Sequence, residues 1–302
     1  MFENIENTTY KQVLYLGILI LIGLVVFGVG GMLIASMFWS SEDVLAASSY
    51  ILDTPSQISY MKALQFLTMF GTFLFPAVAL NYMAKSYNFS FLYLNRTIDI
   101  QKAIMIIVLL VVSLPLINAI MIWNQGLHLP TYMEGLESWM RDKEAQLTGI
   151  TTVFMSTSSI SGLFVNLIVM AVLPAFGEEF IFRAILLKWF SKVMNIHVAI
   201  LLSAFIFSAI HIQFLGFFPR FFIGLLLGYV FYWSGSLWAP ILLHFLNNAM
   251  AVMSYFMYSK GIIQHDPATL GSIDSTPLAM VNILMFIGVL YWFYSNRVGF
   301  RL

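Results

Sequence analysis

Ala175-Phe-Gly-Glu-Glu-Phe-Ile-Phe-Arg183 sets two adjacent carboxylates and a guanidinium inside an otherwise apolar run that extends over residues 160–188. A run of that length exceeds the roughly 20 residues needed to cross a bilayer. A charged side chain at the centre of a membrane helix costs about 2.5–3.5 kcal/mol on insertion scales, so such charges face a partner or a wet cavity. Glu179 and Arg183 are four residues apart, and a helix puts them on one face where they neutralise each other. Glu178 lies about 100° round the helix from Glu179. It is the less paired of the two and the better candidate for chemistry.

The rest of the chain extends this reading. Of its 302 residues 60% are hydrophobic and 9% charged, and the mean hydropathy is +0.88, whereas a soluble domain carries about 25% charged residues. The expected fold is therefore all-α: one polytopic membrane domain over residues 1–302, with about eight transmembrane helices in a single bundle. The 14 basic and 14 acidic residues cancel, which gives no basic footprint for nucleic acid. The absence of cysteine excludes disulfides, thiol nucleophiles, iron–sulfur clusters and thiolate metal sites.

Spans are expected over residues 13–39, 59–84, 103–123, 160–188, 195–215, 221–233, 237–258 and 278–294. The first is too long for a signal-peptide core and follows Glu3 and Glu6 rather than a basic cluster. Its Gly17, Gly23, Gly28, Gly30 and Gly31 allow close packing, and Gly224 with Gly228 forms a small-xxx-small pair in the sixth span. Pro174 frees the carbonyl of Met170 and is expected to kink the fourth span. Residues 124–159 form the longest non-spanning segment. Leu136, Trp139, Met140 and Leu147 recur there at helical spacing, which fits either an amphipathic helix on the membrane surface or a solvated linker helix. Eight Lys and Arg residues (Lys11, Lys85, Arg96, Lys102, Lys188, Lys192, Arg297, Arg301) fall on the side of the termini against five (Lys62, Arg141, Lys143, Arg220, Lys260) on the other. That imbalance favours cytoplasmic termini.

Two further polar motifs interrupt apolar spans: Phe207-Ser-Ala-Ile-His211 and His244-Phe-Leu-Asn-Asn248. In each, the end residues share a helix face. At about 1.5 Å per residue, Glu178, His244, Asn248 and His211 lie at depths that ordinary helix tilt can bring together. A carboxylate, two imidazoles and a carboxamide around water are the parts of a hydrolytic site. Glu178 and one histidine can take a proton from water, while the other histidine and Asn248 donate to an oxyanion. Taken singly, each has a plainer role, either as an interhelical hydrogen bond or as a structural ion pair. Phe207 reads as packing. His128, His197 and His265 carry no assigned role. H-E-x-x-H, G-x-S-G and G-x-G-D are all absent; the nearest serine string, Trp233-Ser-Gly-Ser236, fits no rhomboid nucleophile.

Glu178-Glu179-x-x-x-Arg183, Phe207-x-x-x-His211 and His244-x-x-x-Asn248 resemble, in order and spacing, the three signature motifs of the CPBP family. That family comprises the CAAX prenyl endopeptidases of the Ras-converting-enzyme type and the bacterial "Abi" relatives tied to bacteriocin processing and self-immunity. The motif-bearing core spans about residues 160–258. The resemblance implies an intramembrane endopeptidase in which Glu178 and His211 activate water and His244 and Asn248 stabilise the oxyanion. Glu179, Arg183 and Phe207 would support them. A divalent metal such as zinc is one implied cofactor, since Glu178, His211 and His244 formally make a His₂Glu set. A metal-free glutamate mechanism is preferred, because Asn248 suits a donor better than a ligand.

The expected partners are a peptide or protein substrate reached from the membrane and the bilayer itself. The expected location is an integral, multi-pass protein of a bacterial inner membrane. Two rival functions stay open: a non-catalytic immunity or scaffold protein that keeps the pocket, and a transporter with the buried charges as a proton or ion relay. Transport fits less well, because no paired broken helices are evident.

Overall fold

A computed structural model describes residues 9–84, 90–269, 271–273 and 275–298. Every long element among them is a helix: Tyr10–Ala35 (α1), Ser41–Ser48 (α2), Pro55–Met83 (α3), Ile100–Gln125 (α4), Glu134–Met155 (α5), Ile160–Ser191 (α6), Ile196–Ala209 (α7), Phe217–Ser234 (α8), Trp238–Ser259 (α9) and Thr276–Ser295 (α10). The helix starts are written in the sequence. Thr54 and Gln57 form a reciprocal capping box that brackets Pro55, and the side chains of Asp99, Ser159 and Asn195 accept from free first-turn amides of α4, α6 and α7. Gly235, at φ 66°, ends α8 in a left-handed turn that an L-residue with a side chain resists.

The all-α membrane fold stands, with the number of spans corrected. Among the described residues six helices are long and apolar enough to cross a bilayer: α1, α3, α4, α6, α8 (extended back to Phe214) and α10. The expected fifth span stops at Ala209, giving 14 residues, or about 21 Å against a hydrocarbon core of about 30 Å. The chain then turns through Ile212, at φ 53°. The expected seventh span, α9, has 22 residues, but His244, Asn247 and Asn248 dilute its apolar content. Both helices carry site residues. Polarity there serves the interior rather than the lipid. Lys85 and Arg301, counted for orientation, lie outside the described residues.

Burial separates rim from centre. Only 17% of the most apolar stretch of α1 and of α10 is buried, against 39% for α6 and 44% for α8. The charged motif thus rides on a helix the others enclose. Two large apolar clusters hold the bundle, one joining α1 and α3 to the second half of α6 and the other joining α4, α8, α9 and α10, while a small third cluster of Ala35, Ala47 and Tyr60 joins α1, α2 and α3. Gly23 crosses Gly71 of α3 so closely that a Cβ at Gly23 would come within 1.8 Å of the Gly71 carbonyl oxygen. Gly224 and Gly228 likewise seat α8 against Ala204 and Ile200 of α7. By contrast, Gly17 and Gly28 face open space.

Helix α6 is not a plain α-helix. Its backbone widens into π-type turns over Ile168–Val172, just before Pro174, and over Phe180–Leu187, just after the glutamates. A wide turn accommodates the amide that proline lacks, and such turns recur at functional sites.

Helix α5 is tethered at its first turns. Glu137 accepts from the Leu129 amide at 2.7 Å and from Arg141 Nε at 2.8 Å, and meets His128 Nδ1 at 2.8 Å. These contacts, the Leu129 amide first, hold the Glu137 carboxyl down at about 2. A carboxylate depressed on folding contributes stability above its unfolded value near 4.5, and that stability is lost as pH falls through the folded value. The loop at Leu127–Leu129 is therefore expected to resist pepsin at about pH 3.5 and to open towards about pH 2. In Glu137→Gln, cutting should show no such pH step; an unchanged step in that variant would refute the tether.

Candidate active site

The three motifs meet at one cavity of about 360 Å³, lined among others by Glu178, Phe207, His211, His244 and Asn248. Helix α6 supplies the carboxylates, the turn after α7 supplies His211, and α9 supplies His244 and Asn248. Glu178, Glu179, Arg183 and His244 are all buried.

Glu179 is the organising acceptor. Its Oε1 receives Arg183 Nη1 at 2.9 Å and His244 Nδ1 at 2.8 Å, while Oε2 is buried without a hydrogen-bond partner. Arg183 spends a second N–H on the Gly224 carbonyl at 3.2 Å and lies 4.6 Å from the Phe207 ring centroid. The pairing expected from i, i+4 spacing is present, and it also ties α6 to α8 and α9. Glu178 accepts no hydrogen bond among the described residues; its Oε2 lies 3.8 Å from His244 Nε2. The carboxylate that lines the cavity is thus the uncommitted one.

The hydrogen bonds fix the imidazoles. His244 Nδ1 faces a carboxylate and His211 Nδ1 faces the Phe207 carbonyl at 2.8 Å. Both partners can only accept, so each Nδ1 carries the proton. In the neutral form each Nε2 is then a free base. The Phe207 ring makes T-shaped contacts with both imidazoles, at 5.4 Å from His211 and 5.9 Å from His244. Asn248 Oδ1 accepts from Asn247 Nδ2 at 3.2 Å, which leaves the Asn248 amide protons available.

Among the described residues no three His, Asp or Glu side chains converge as a metal-ligand set, the trio of Glu178, His211 and His244 included.

Sequence reasoning missed Arg220, Gln65 and Asn247, which share the cavity wall. Arg220 donates to the Gln213 carbonyl at 3.0 Å and to Gln213 Oε1 at 2.6 Å, and Gln213 with the Leu215 amide reaches Glu144 of α5. That chain of contacts braces the turn carrying His211. A single cation in the aromatic string Phe217-Phe-Pro-Arg-Phe-Phe222 was the available signal.

Residues 160–250 match the family model for the type II CAAX prenyl endopeptidase Rce1-like domain, a match that covers all three motifs. Over that segment the chain is similar to an Rce1-like domain. A 106-residue stretch is 30% identical to a Bacillus subtilis (strain 168) protein named "Uncharacterized protein YpbD", covering 34% of this chain and 50% of that one. The chain thus spans about half the length of the curated relative it matches. No solved structure matches. The matched residues coincide with helices that build the cavity, and the apolar helices around them make this an integral, multi-pass membrane protein.

Proposed function

We propose that the protein is an intramembrane endopeptidase, CAAX-protease-like, that hydrolyses a peptide bond with water activated by Glu178 and His211. The observation that carries this reading is the unbonded Glu178 carboxylate in a cavity shared with two imidazoles whose Nε2 atoms are free to act. In this mechanism Glu178 takes a proton as water attacks the scissile carbonyl, with the His211 Nε2 lone pair orienting or sharing that proton. Asn248 Nδ2 donates to the oxyanion. His244 donates from Nε2 as the imidazolium, its charge matched by Glu179, so that Glu178, Glu179, Arg183 and His244 sum to zero. The Glu178 proton then passes to the leaving amine. Burial makes each such interaction stronger than it would be in water.

The substrate in this reading is a peptide or protein segment entering from the membrane, and the location a bacterial inner membrane with cytoplasmic termini, in keeping with the Lys and Arg imbalance. The second reading, a non-catalytic immunity or scaffold protein, shares the same cavity and predicts no turnover. A cleavage assay on purified protein with a peptide library, comparing wild type with His211→Ala and His244→Ala, separates the two. Loss of about 10² or more in kcat for both variants, each still folded, supports the peptidase. Full activity in both folded variants overturns it.

A further inference from the structure

A second site lies on the opposite flank of α6, away from the catalytic cavity. Between α3 and α6 runs an apolar trough of about 530 Å³, walled by Phe66, Leu67, Ile168 and Val169 and closed by Trp39. It shares Ser59, Lys62 and Val165 with an adjoining cavity of about 750 Å³ that is rimmed by the hydroxyls of residues 156–161. No acidic side chain lines either space, and Lys62 is the cation common to both.

We infer that this pair of cavities binds one anionic glycerophospholipid, with its phosphate on Lys62 and an acyl chain in the trough. Three features carry the inference. Lys62 is held in place: its Nζ donates at 2.7 Å to Asn166 Oδ1, and Asn166, fully buried, anchors its own amide on the Met155 carbonyl at 3.0 Å. An ammonium has three N–H donors, so two are left for an anion. The polarity also runs in the right direction. On α3, Ser59 and Lys62 precede Phe66 and Leu67; at the start of α6, its cap Ser159 and then Ser161 precede Val165, Ile168 and Val169. Both helices start at the same membrane face, so the polar end sits at headgroup level and the apolar end about 12 Å deeper, the reach of half an acyl chain. Finally, Trp39 closes the polar end through Nε1 to Ser59 Oγ at 2.9 Å, the placement favoured by interfacial tryptophan.

The test is lipid retention by the full-length protein, taken from vesicles of equal phosphatidylglycerol and phosphatidylcholine into detergent and weighed by native mass spectrometry. Wild type should retain one phosphatidylglycerol with about fivefold preference over phosphatidylcholine, the selectivity expected of one lysine facing an anionic headgroup. Lys62→Gln should lose the preference and Lys62→Arg keep it. Ala63→Phe, which narrows the trough beside an intact Lys62, should lose retention of both lipids. Equal retention of the two lipids by wild type, or an unaltered preference in Lys62→Gln, overturns the inference. So does a thermal shift with inorganic phosphate as large as that with phosphatidylglycerol, which would assign the site to a free anion. Should Lys62→Gln fail to fold, Lys62→Arg and Ala63→Phe still decide the matter.

Discussion

Glu178→Gln is expected to lower kcat for peptide cleavage by about 10³, within the 10²–10⁴ range supplied by a positioned general base, while the bundle keeps its thermal stability. The two halves of this expectation have separate causes. A carboxamide at this position would keep the shape of the side chain and so leave the cavity packed, yet it cannot take a proton from water. Because Glu178 accepts no hydrogen bond among the described residues, and only faces His244 Nε2 at 3.8 Å, removing its charge breaks no bond that holds helices together. Purified wild type and variant would be compared for turnover and for melting in the same detergent. Activity within about tenfold of wild type would remove Glu178 from the chemistry. A large fall in melting temperature with activity per folded molecule preserved would recast it as structural.

Arg183→Ala is expected to act through stability first. The guanidinium is 1% exposed and Glu179 fully buried. Its removal leaves the Glu179 carboxylate with His244 Nδ1 alone as donor, one oxygen already lacking a partner, and takes the interhelical donor from the Gly224 carbonyl. Breaking a buried ion pair from one side costs about 3–5 kcal/mol, which corresponds to a melting temperature lower by roughly 10 °C. Neutralising both ends in Glu179→Gln/Arg183→Met should recover part of that loss, since no lone charge is then buried. Equal melting of Arg183→Ala and wild type would refute the pairing. If the double variant is no more stable than Arg183→Ala, the cost lies in lost packing on Phe207 and not in stranded charge.

The meeting of the motif residues at one cavity was legible because they obey a local rule. Glu179 and Arg183, Phe207 and His211, and His244 and Asn248 are each four residues apart, and a helix or its closing turn converts that interval into proximity. The different fates of Glu178 and Glu179 followed from the same geometry. What escaped is non-local. Arg220 joins the cavity through Gln213 and α5, a contact spanning 69 residues between Gln213 and Glu144, and no periodicity announces it. The number of spans was overcounted for a related reason: a hydropathy run over residues 195–215 does not show that the helix ends at Ala209 and turns at Ile212. Glycine counts also overstated close packing, since Gly23 meets a backbone and Gly17 meets nothing.

The widened turns of α6 have a consequence for how the letters of the chain map onto directions in space. Each i→i+5 closure takes up one residue more than an α-turn, so every position downstream of Phe180 is rotated relative to where a regular helix would aim it. Trp189, which reaches across to Gln12 of α1 at 2.7 Å, owes its bearing to that offset. Helix α1 is therefore phased to the charged centre like a gear to its shaft. Shortening the stretch between Arg183 and Trp189 by a single residue would preserve all three motifs on paper and still unmesh the two.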